Sequence, residues 1–231
     1  MLKEAIILAG GLGTRLRDVV TDLPKSMAPV NDIPFLDYVL RFLSHYKIKK
    51  ITLAVGYMSD RIVAHYGKTY NYSIEKEPLG TGGAIRLAIE KCHSKDVLVL
   101  NGDSFFDFNL NSFYNMHCTF HSDCSLAVRK VPDASRYGTI KSGTGSTIKA
   151  FREKDGLAKE GFISAGVYLL DREKFLSKTP KEKPFSVEKD FFEKKINELN
   201  IFGFTYDGYF IDIGIPADFE KAQHDFKEFK Y

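Results

Sequence analysis

An apolar run, Ala5-Ile6-Ile7-Leu8, breaks into a turn built on Gly10, Gly11 and Gly13, and this junction constrains the chain most. Two cations follow ten residues apart, Arg15 and Lys25, with Pro24 and Pro29 stiffening the loop around the second. Glycines let backbone N–H groups approach a phosphate closely, and the cations can neutralise its charge. The junction has the makings of a polyphosphate site. Two better-known glycine motifs do not fit it. A GxxxxGK[ST] loop needs lysine directly after its last glycine, and Gly13 is followed by Thr14. A GxGxxG fingerprint counted from Gly11 through Gly13 lands on Leu16.

The surrounding pattern alternates. Strand-like runs occupy residues 5–8, 51–55, 72–75 and 97–100. Helical spacing appears over 34–46, through Phe35, Leu36, Val39, Leu40, Phe42, Leu43 and Tyr46, and again over 81–91. Alternating β and α segments predict an α/β fold with a mostly parallel central sheet and helices on both faces. Ligands of such sheets bind beyond the C-terminal strand ends, where the glycine turn and an Asn101-Gly102-Asp103 turn both fall. After residue 124 the texture changes to strand-like runs at 125–131, 137–141, 147–152, 162–170, 201–206 and 209–211. Helices are expected at 172–177, 186–195 and 216–229. No repeat or linker divides the chain, so residues 1–231 are read as one domain. Its alternating first half and strand-rich second half run over about 1–123 and about 124–231.

Bulk numbers narrow the partners. A 44% hydrophobic and 27% charged chain is that of an ordinary globular protein. A net charge of +3, with lysines spread along the chain, gives no footprint for nucleic acid. No apolar run approaches the roughly 20 residues that span a bilayer, and no signal peptide is expected. Three cysteines without paired spacing fit reduced thiols and a cytoplasmic setting. His117, Cys118, His121 and Cys124 invite a zinc reading, but their spacing lacks CxxC and fits better the end of a helix leading into a strand.

Two aspartates are candidates for metal. Asp103 follows the apolar run Val97-Leu98-Val99-Leu100, where a carboxylate can hold Mg²⁺ against phosphates or simply cap a turn. Asp212, in Phe210-Ile211-Asp212-Ile213-Gly214, sits among apolar neighbours that make an unpaired charge costly. Mg²⁺ typically takes one or two carboxylates plus phosphate oxygens and water. Gly82 and Gly83 open a predicted helix with poor helix formers, which asks for either close packing or a ligand.

The order Gly10-Gly11-x-Gly13-Thr14-Arg15-Leu16, then Pro24-Lys25 and Pro29-Val30, resembles the sugar-1-phosphate nucleotidyltransferases. The resemblance runs from about Lys3 to Phe226. It implies a Rossmann-like fold, with residues about 1–123 as the nucleotide-binding half and about 124–231 as a β-rich sugar-binding lobe. The implied substrates are a nucleoside triphosphate and a sugar 1-phosphate, with Mg²⁺ as cofactor. It makes Arg15 and Lys25 catalytic, and assigns the nucleotide to Leu8, Ala9, Gly10, Gly11, Gly13, Thr14, Arg15, Lys25, Glu77, Gly80, Thr81, Gly82, Gly83 and Asp103. It makes Asp103 and Asp212 the metal ligands, and gives the sugar phosphate to Gly138, Glu153, Lys154, Ser164 and Ala165.

Departures are local: Asp155 where the family has proline, Ser164 where it has asparagine, and Ile215 where it has threonine. The Glu77-Pro78-Leu79-Gly80-Thr81-Gly82-Gly83 segment is most similar to guanylyltransferases acting on heptose 1-phosphate. That likeness implies GTP, D-glycero-α-D-manno-heptose 1-phosphate, and a product for capsule or lipopolysaccharide. Mannose 1-phosphate with GTP, glucose 1-phosphate with CTP and N-acetylmuramate 1-phosphate with UTP would use the same residues. Many relatives continue into a β-helical domain; this chain looks like the short type, and a homodimer is compatible with it. The rival classes are a glycosyltransferase, which would want an Asp-x-Asp motif where Asp103-Ser104-Phe105 stands, and an inactive regulatory subunit, which would have lost these charged residues.

Overall fold

The computed structural model describes residues 1–11, 13, 16, 19–152, 160–229 and 231, with Arg152 described by its backbone only. The strands are β1 (Glu4–Leu8), β2 (Pro29–Val30), β3 (Ile33–Pro34), β4 (Lys50–Val55), β5 (Asn71–Ile74), β6 (Asp96–Asn101), β7 (Ser104–Phe106), β8 (Cys124–Val131), β9 (Thr139–Ser142), β10 (Ile148–Arg152), β11 (Gly161–Asp171), β12 (Ile201–Thr205) and β13 (Phe210–Asp212). The α-helices are α1 (Phe35–His45), α2 (Ser59–Tyr66), α3 (Gly80–Ile89), α4 (Leu110–Thr119), α5 (Arg172–Lys178) and α6 (Pro216–Asp225). A π-helical segment spans Val187–Glu193.

Four strands in the order β6-β1-β4-β5 run parallel, with Ala5 opposite both Ile51 and Leu98. The sheet does not stop there. β11 pairs antiparallel with β6, Val167 facing Leu100, and carries β8, β9 and β10 with it, while β12 pairs parallel with β8. Nine strands thus form one continuous sheet across the two halves of the chain.

The period-two alternation of β1 explains the layering. Ala5 and Ile7 enter one core with α1, whose face of Phe35, Leu36, Val39, Phe42 and Leu43 is buried. Ile6 points the opposite way, into a second core with Ile85, Ala88 and Ile89 of α3 and Phe191 and Phe192 of the π-helical segment. Apolar side chains on both faces of the same strands fit a parallel sheet covered on both sides.

Helix starts follow side-chain chemistry. Asn109 caps α4 by accepting from the Ser112 N–H, and Asp171 caps α5 through Lys174. His117 closes α4 as a buried core histidine: Nδ1 lies 2.8 Å from Ser125 Oγ, and Nε2 3.5 Å from Asp96 Oδ1. His121 lies past the helix end in the left-handed region (φ 47°), and Cys124 begins β8. The four residues thus mark a helix end leading into a strand. No cluster of three metal-ligating side chains exists among the described residues.

Candidate active site

A cavity of about 580 Å³ opens at the C-terminal ends of the parallel strands. Leu8, Ala9, Gly10, Gly11 and Gly13 line it from the turn after β1, and Gly56 and Tyr57 from the turn after β4. Glu75, Glu77, Gly80 and Thr81 come from beyond β5, Asn101 and Asp103 from the end of β6, Lys25 from the segment before β2, and Gly214 from after β13. The topology brings most of the residues expected to hold nucleotide to one wall-to-wall cleft. Gly13 adopts φ +57°, and a Cβ there would sit 2.8 Å from Lys25 Cβ, so the glycine lets the turn lie on the lysine stem.

Lys25 opens a short 3-10 turn (Lys25–Met27) behind Pro24, and its side chain is only 11% exposed. Its ammonium lies 2.7 Å from Asp103 Oδ2 and 3.3 Å from Asp212 Oδ1. A two-stranded ladder brings those carboxylates together. β13 pairs antiparallel with β7 so that Asp212 faces Ser104, the neighbour of Asp103, and the Ile213 N–H donates to the Asp103 carbonyl at 3.0 Å.

Burial first, and the neighbouring Asp103 charge second, raise the Asp212 carboxyl above its ordinary pKa. Lys25 and the Gly214 N–H, which donates to Asp212 Oδ1 at 2.7 Å, pull the other way. Two carboxylates converging on one cation form a donor set that suits a divalent ion completing its shell with phosphate oxygens and water.

Gly82 and Gly83 depart from the expected lining. A Cβ on Gly82 would fall 2.1 Å from Phe185 Cε2, and its N–H is already bonded to the Phe185 carbonyl at 2.9 Å. A Cβ on Gly83 would meet Leu79 Cβ at 2.6 Å. Both are buried outside the cavity, and close packing of α3 accounts for them. Thr81 serves both sides. It lines the cavity, while its hydroxyl accepts from the Val187 N–H at 3.0 Å and donates to Glu188 at 3.3 Å. Glu188 also accepts from Tyr168 of β11 at 2.8 Å, tying the nucleotide side to the second half.

Of the residues expected to meet sugar, Gly138 is exposed, beyond the Arg136–Asp218 ion pair at 2.5 Å. Ser164 is half-buried on β11, and Ala165 is buried in the bulge where β11 leaves β8. None of the three lines the cavity. With its methyl in the core, Ala165 has only backbone to offer a sugar. Thr14, Arg15, Glu153 and Lys154 lie outside the described residues. The sequence reading gave no role to Gly56, Tyr57 or Glu75, and placed Asn101 at the cleft only as part of its turn. The rule that ligands sit beyond strand ends could have found the first two, directly after the apolar run 51–55.

Residues 4–228 match the family described as Nucleotidyl transferase. The chain belongs to that family. It is 43% identical over 231 residues to the D-glycero-alpha-D-manno-heptose 1-phosphate guanylyltransferase of Aneurinibacillus thermoaerophilus, covering 98% of this chain and 99% of the relative. The enzyme of the same name from Campylobacter jejuni is 41% identical over 221 residues, covering 94% and 96% of the two chains. The crystal structure of HddC from Yersinia pseudotuberculosis superposes with a TM-score of 0.86 at 33% identity, covering 98% of this chain and 100% of that one. That protein has also been crystallised with GMP-PN, with the same likeness to this chain.

This nucleotidyltransferase thus keeps the fold and the family that its glycine turn implies. Its substrates are a sugar phosphate and a nucleoside triphosphate, and transferases of this family generally use a divalent metal ion. No described helix is long and apolar enough to cross a membrane.

Proposed function

We propose that this nucleotidyltransferase joins D-glycero-α-D-manno-heptose 1-phosphate to GTP, giving a GDP-heptose and pyrophosphate. The observation that carries the reading is near-full-length likeness to two heptose 1-phosphate guanylyltransferases in a chain whose glycine turn, Lys25 and Asp103 share one cleft. An oxygen of the sugar phosphate attacks the α-phosphorus. One P–O bond forms, the bond to the β-phosphate bridge breaks, and pyrophosphate leaves in line. Catalysis of such a transfer is positioning plus charge stabilisation, with no protein nucleophile.

The turn from Leu8 to Gly13 offers its backbone to the phosphates, joined by Thr14 and by the catalytic pair Arg15 and Lys25. Glu77, Gly80 and Thr81 face the base and ribose. Asp103 and Asp212 are the residues that would hold Mg²⁺, which supplies charge neutralisation at the phosphates. Glu153, Lys154, Gly138 and Ser164 serve the sugar phosphate, Lys154 orienting the attacking group.

The setting is cytoplasmic, where nucleoside triphosphate is available and Cys92, Cys118 and Cys124 stay free. The product feeds a cell-surface polysaccharide. Pyrophosphate release from GTP, CTP, UTP and dTTP in competition, with the heptose phosphate and mannose 1-phosphate, tests the pair. Preference for a pyrimidine triphosphate would overturn the guanylyl reading, and preference for mannose 1-phosphate the heptose one.

A further inference from the structure

Two consecutive residues of the loop between β8 and β9, Arg136 and Tyr137, grip the chain on both sides of Asp212. Phe210, two residues before that aspartate on β13, packs against Tyr137 with ring centroids 6.0 Å apart. Asp218, six residues after it in the first turn of α6, accepts from Arg136 Nη2 at 2.5 Å. The residue next to the gripping pair is Gly138, expected to meet the sugar phosphate. One dipeptide thus stands between the sugar-facing backbone and a metal-site carboxylate.

The loop is built to transmit this grip. Ala134 is fully buried at its base, the Ser135 N–H donates to Asp133 Oδ1 at 2.9 Å, and the Tyr137 N–H closes a turn onto the Ala134 carbonyl at 3.0 Å. Arg136 also braces its neighbour: Nη2 donates to the Tyr137 hydroxyl at 3.2 Å, and Cζ lies 5.4 Å from the Tyr137 ring centroid. On the other side, Ile215 gives α6 no side-chain cap, and the acidic residue of its first turn, Asp218, is turned to Arg136. The short turn before α6 includes Gly214, whose N–H donates to Asp212 Oδ1 at 2.7 Å, so a displaced helix start would move that carboxylate. Burial works against the charge on Arg136, but Asp218 foremost, then Tyr137 and Asp212, outweigh it and raise its pKa. The guanidinium therefore lies within electrostatic reach of the metal-site aspartate.

We infer that Arg136 is a positioning residue: paired with Asp218 and laid on Tyr137, it fixes the backbone of Gly138 relative to the carboxylate of Asp212. The inference rests on the reading above that gives the sugar phosphate to Gly138 and the metal to Asp212. In the transfer the attacking oxygen must meet the metal-held α-phosphate in line, and a misplacement of about 1 Å costs on the order of 10²-fold. A partly exposed ion pair adds little to stability by itself, so the loss of this one should appear in alignment instead of in melting.

The experiment measures kcat and both KM values in Arg136→Gln, Asp218→Asn and the double variant, with Lys154→Ala as reference. Mg²⁺ is present, and the second substrate is whichever sugar 1-phosphate the wild type turns over fastest. Each single variant should lower kcat/KM for the sugar phosphate by about ten- to a hundredfold, with KM for the triphosphate within about threefold of the wild type. The double variant should be no worse than the worse single one, because both changes remove one contact. Arg136→Lys keeps the charge but not the planar fork over Tyr137, and should recover only part of the loss.

Single variants with wild-type kcat and sugar-phosphate KM overturn the inference. An equal rise in both KM values with a lower melting temperature also overturns it, making the pair a brace of the fold. Losses that multiply in the double variant would place the guanidinium on the phosphate itself and not on Asp218. Should Arg136→Gln fail to fold, Asp218→Asn decides alone by the same two parameters. An unchanged sugar-phosphate KM in Lys154→Ala removes the sugar-side reading and this inference together. A raised one beside normal Arg136 and Asp218 variants removes only this inference.

Discussion

The ammonium of Lys25 lies 2.7 Å from the Asp103 carboxylate and 3.3 Å from that of Asp212, joining positions 78 and 187 residues away in sequence. One lysine thus ties the glycine-turn loop to both turns expected to hold metal. Lys25→Ala should lower kcat/KM by roughly 10²-fold or more, the scale of one preorganised charge-stabilising group, and Arg15→Ala should do the same. Lys25→Ala also removes the cation that opposes burial at Asp212, which pushes that carboxyl up further. Its loss of melting temperature should therefore be largest at neutral pH and shrink on mild acidification. Near-normal turnover in a folded variant removes Lys25 from the mechanism.

Asp212 separates stability from activity. Its folded-state pKa is raised, so between its ordinary value and that raised value the native state binds more protons than the unfolded chain. By linkage, its contribution to stability is fully present below the unfolded pKa and is lost as pH rises through the folded pKa. At neutral pH the charged form is a burden on the metal-free protein. Asp212→Asn should therefore melt no lower than the wild type without metal, yet lose nearly all activity and most of its response to Mg²⁺. Asp103→Asn should lose activity likewise. An aspartate whose variant keeps the full metal response is structural.

Two glycines give opposite expectations. A Cβ on Gly82 has no room against Phe185, whereas a Cβ on Gly11, which lines the cleft, meets nothing within 4 Å among the described residues. Gly82→Ala should cost about 1–3 kcal/mol of stability through overpacking. Gly11→Ala should fold normally and raise KM for the triphosphate. Thermal melts set beside nucleotide KM values check both at once. A destabilised Gly11→Ala with normal KM would mean that its turn serves the fold alone.

How far the sequence carried depended on how much each element buries. The alternation of Ile6 and Ile7 and the broad stripe of α1 face two cores, so periodicity alone located them. α2 buries only Ile62, too little to leave a stripe, and no helix was expected there. The β7–β13 ladder is three residues per strand, and nothing local in Ser104-Phe105-Phe106 announces a partner a hundred residues away. Asp103 and Asp212 were legible as separate turn carboxylates, but their meeting at Lys25 is a tertiary fact. The Gly82-Gly83 pair was legible as unusual, and only Phe185 against the first and Leu79 against the second show that packing is the reason.

The sugar side makes the last prediction. Lys154 and Glu153 follow β10, and the resemblance puts them on the sugar phosphate and the sugar hydroxyls respectively. A cation that orients the attacking phosphate acts on one substrate only, so Lys154→Ala should raise KM for the sugar phosphate more than KM for GTP. The kcat should also fall, because orientation of the attacking oxygen matters most in the transition state. Glu153→Gln should instead alter the preference between the heptose phosphate and mannose 1-phosphate, since hydroxyl contacts carry sugar identity. Initial-rate matrices in both substrates separate these effects. An equal rise in both KM values for Lys154→Ala would place that lysine on the structure of the lobe instead of on the sugar phosphate.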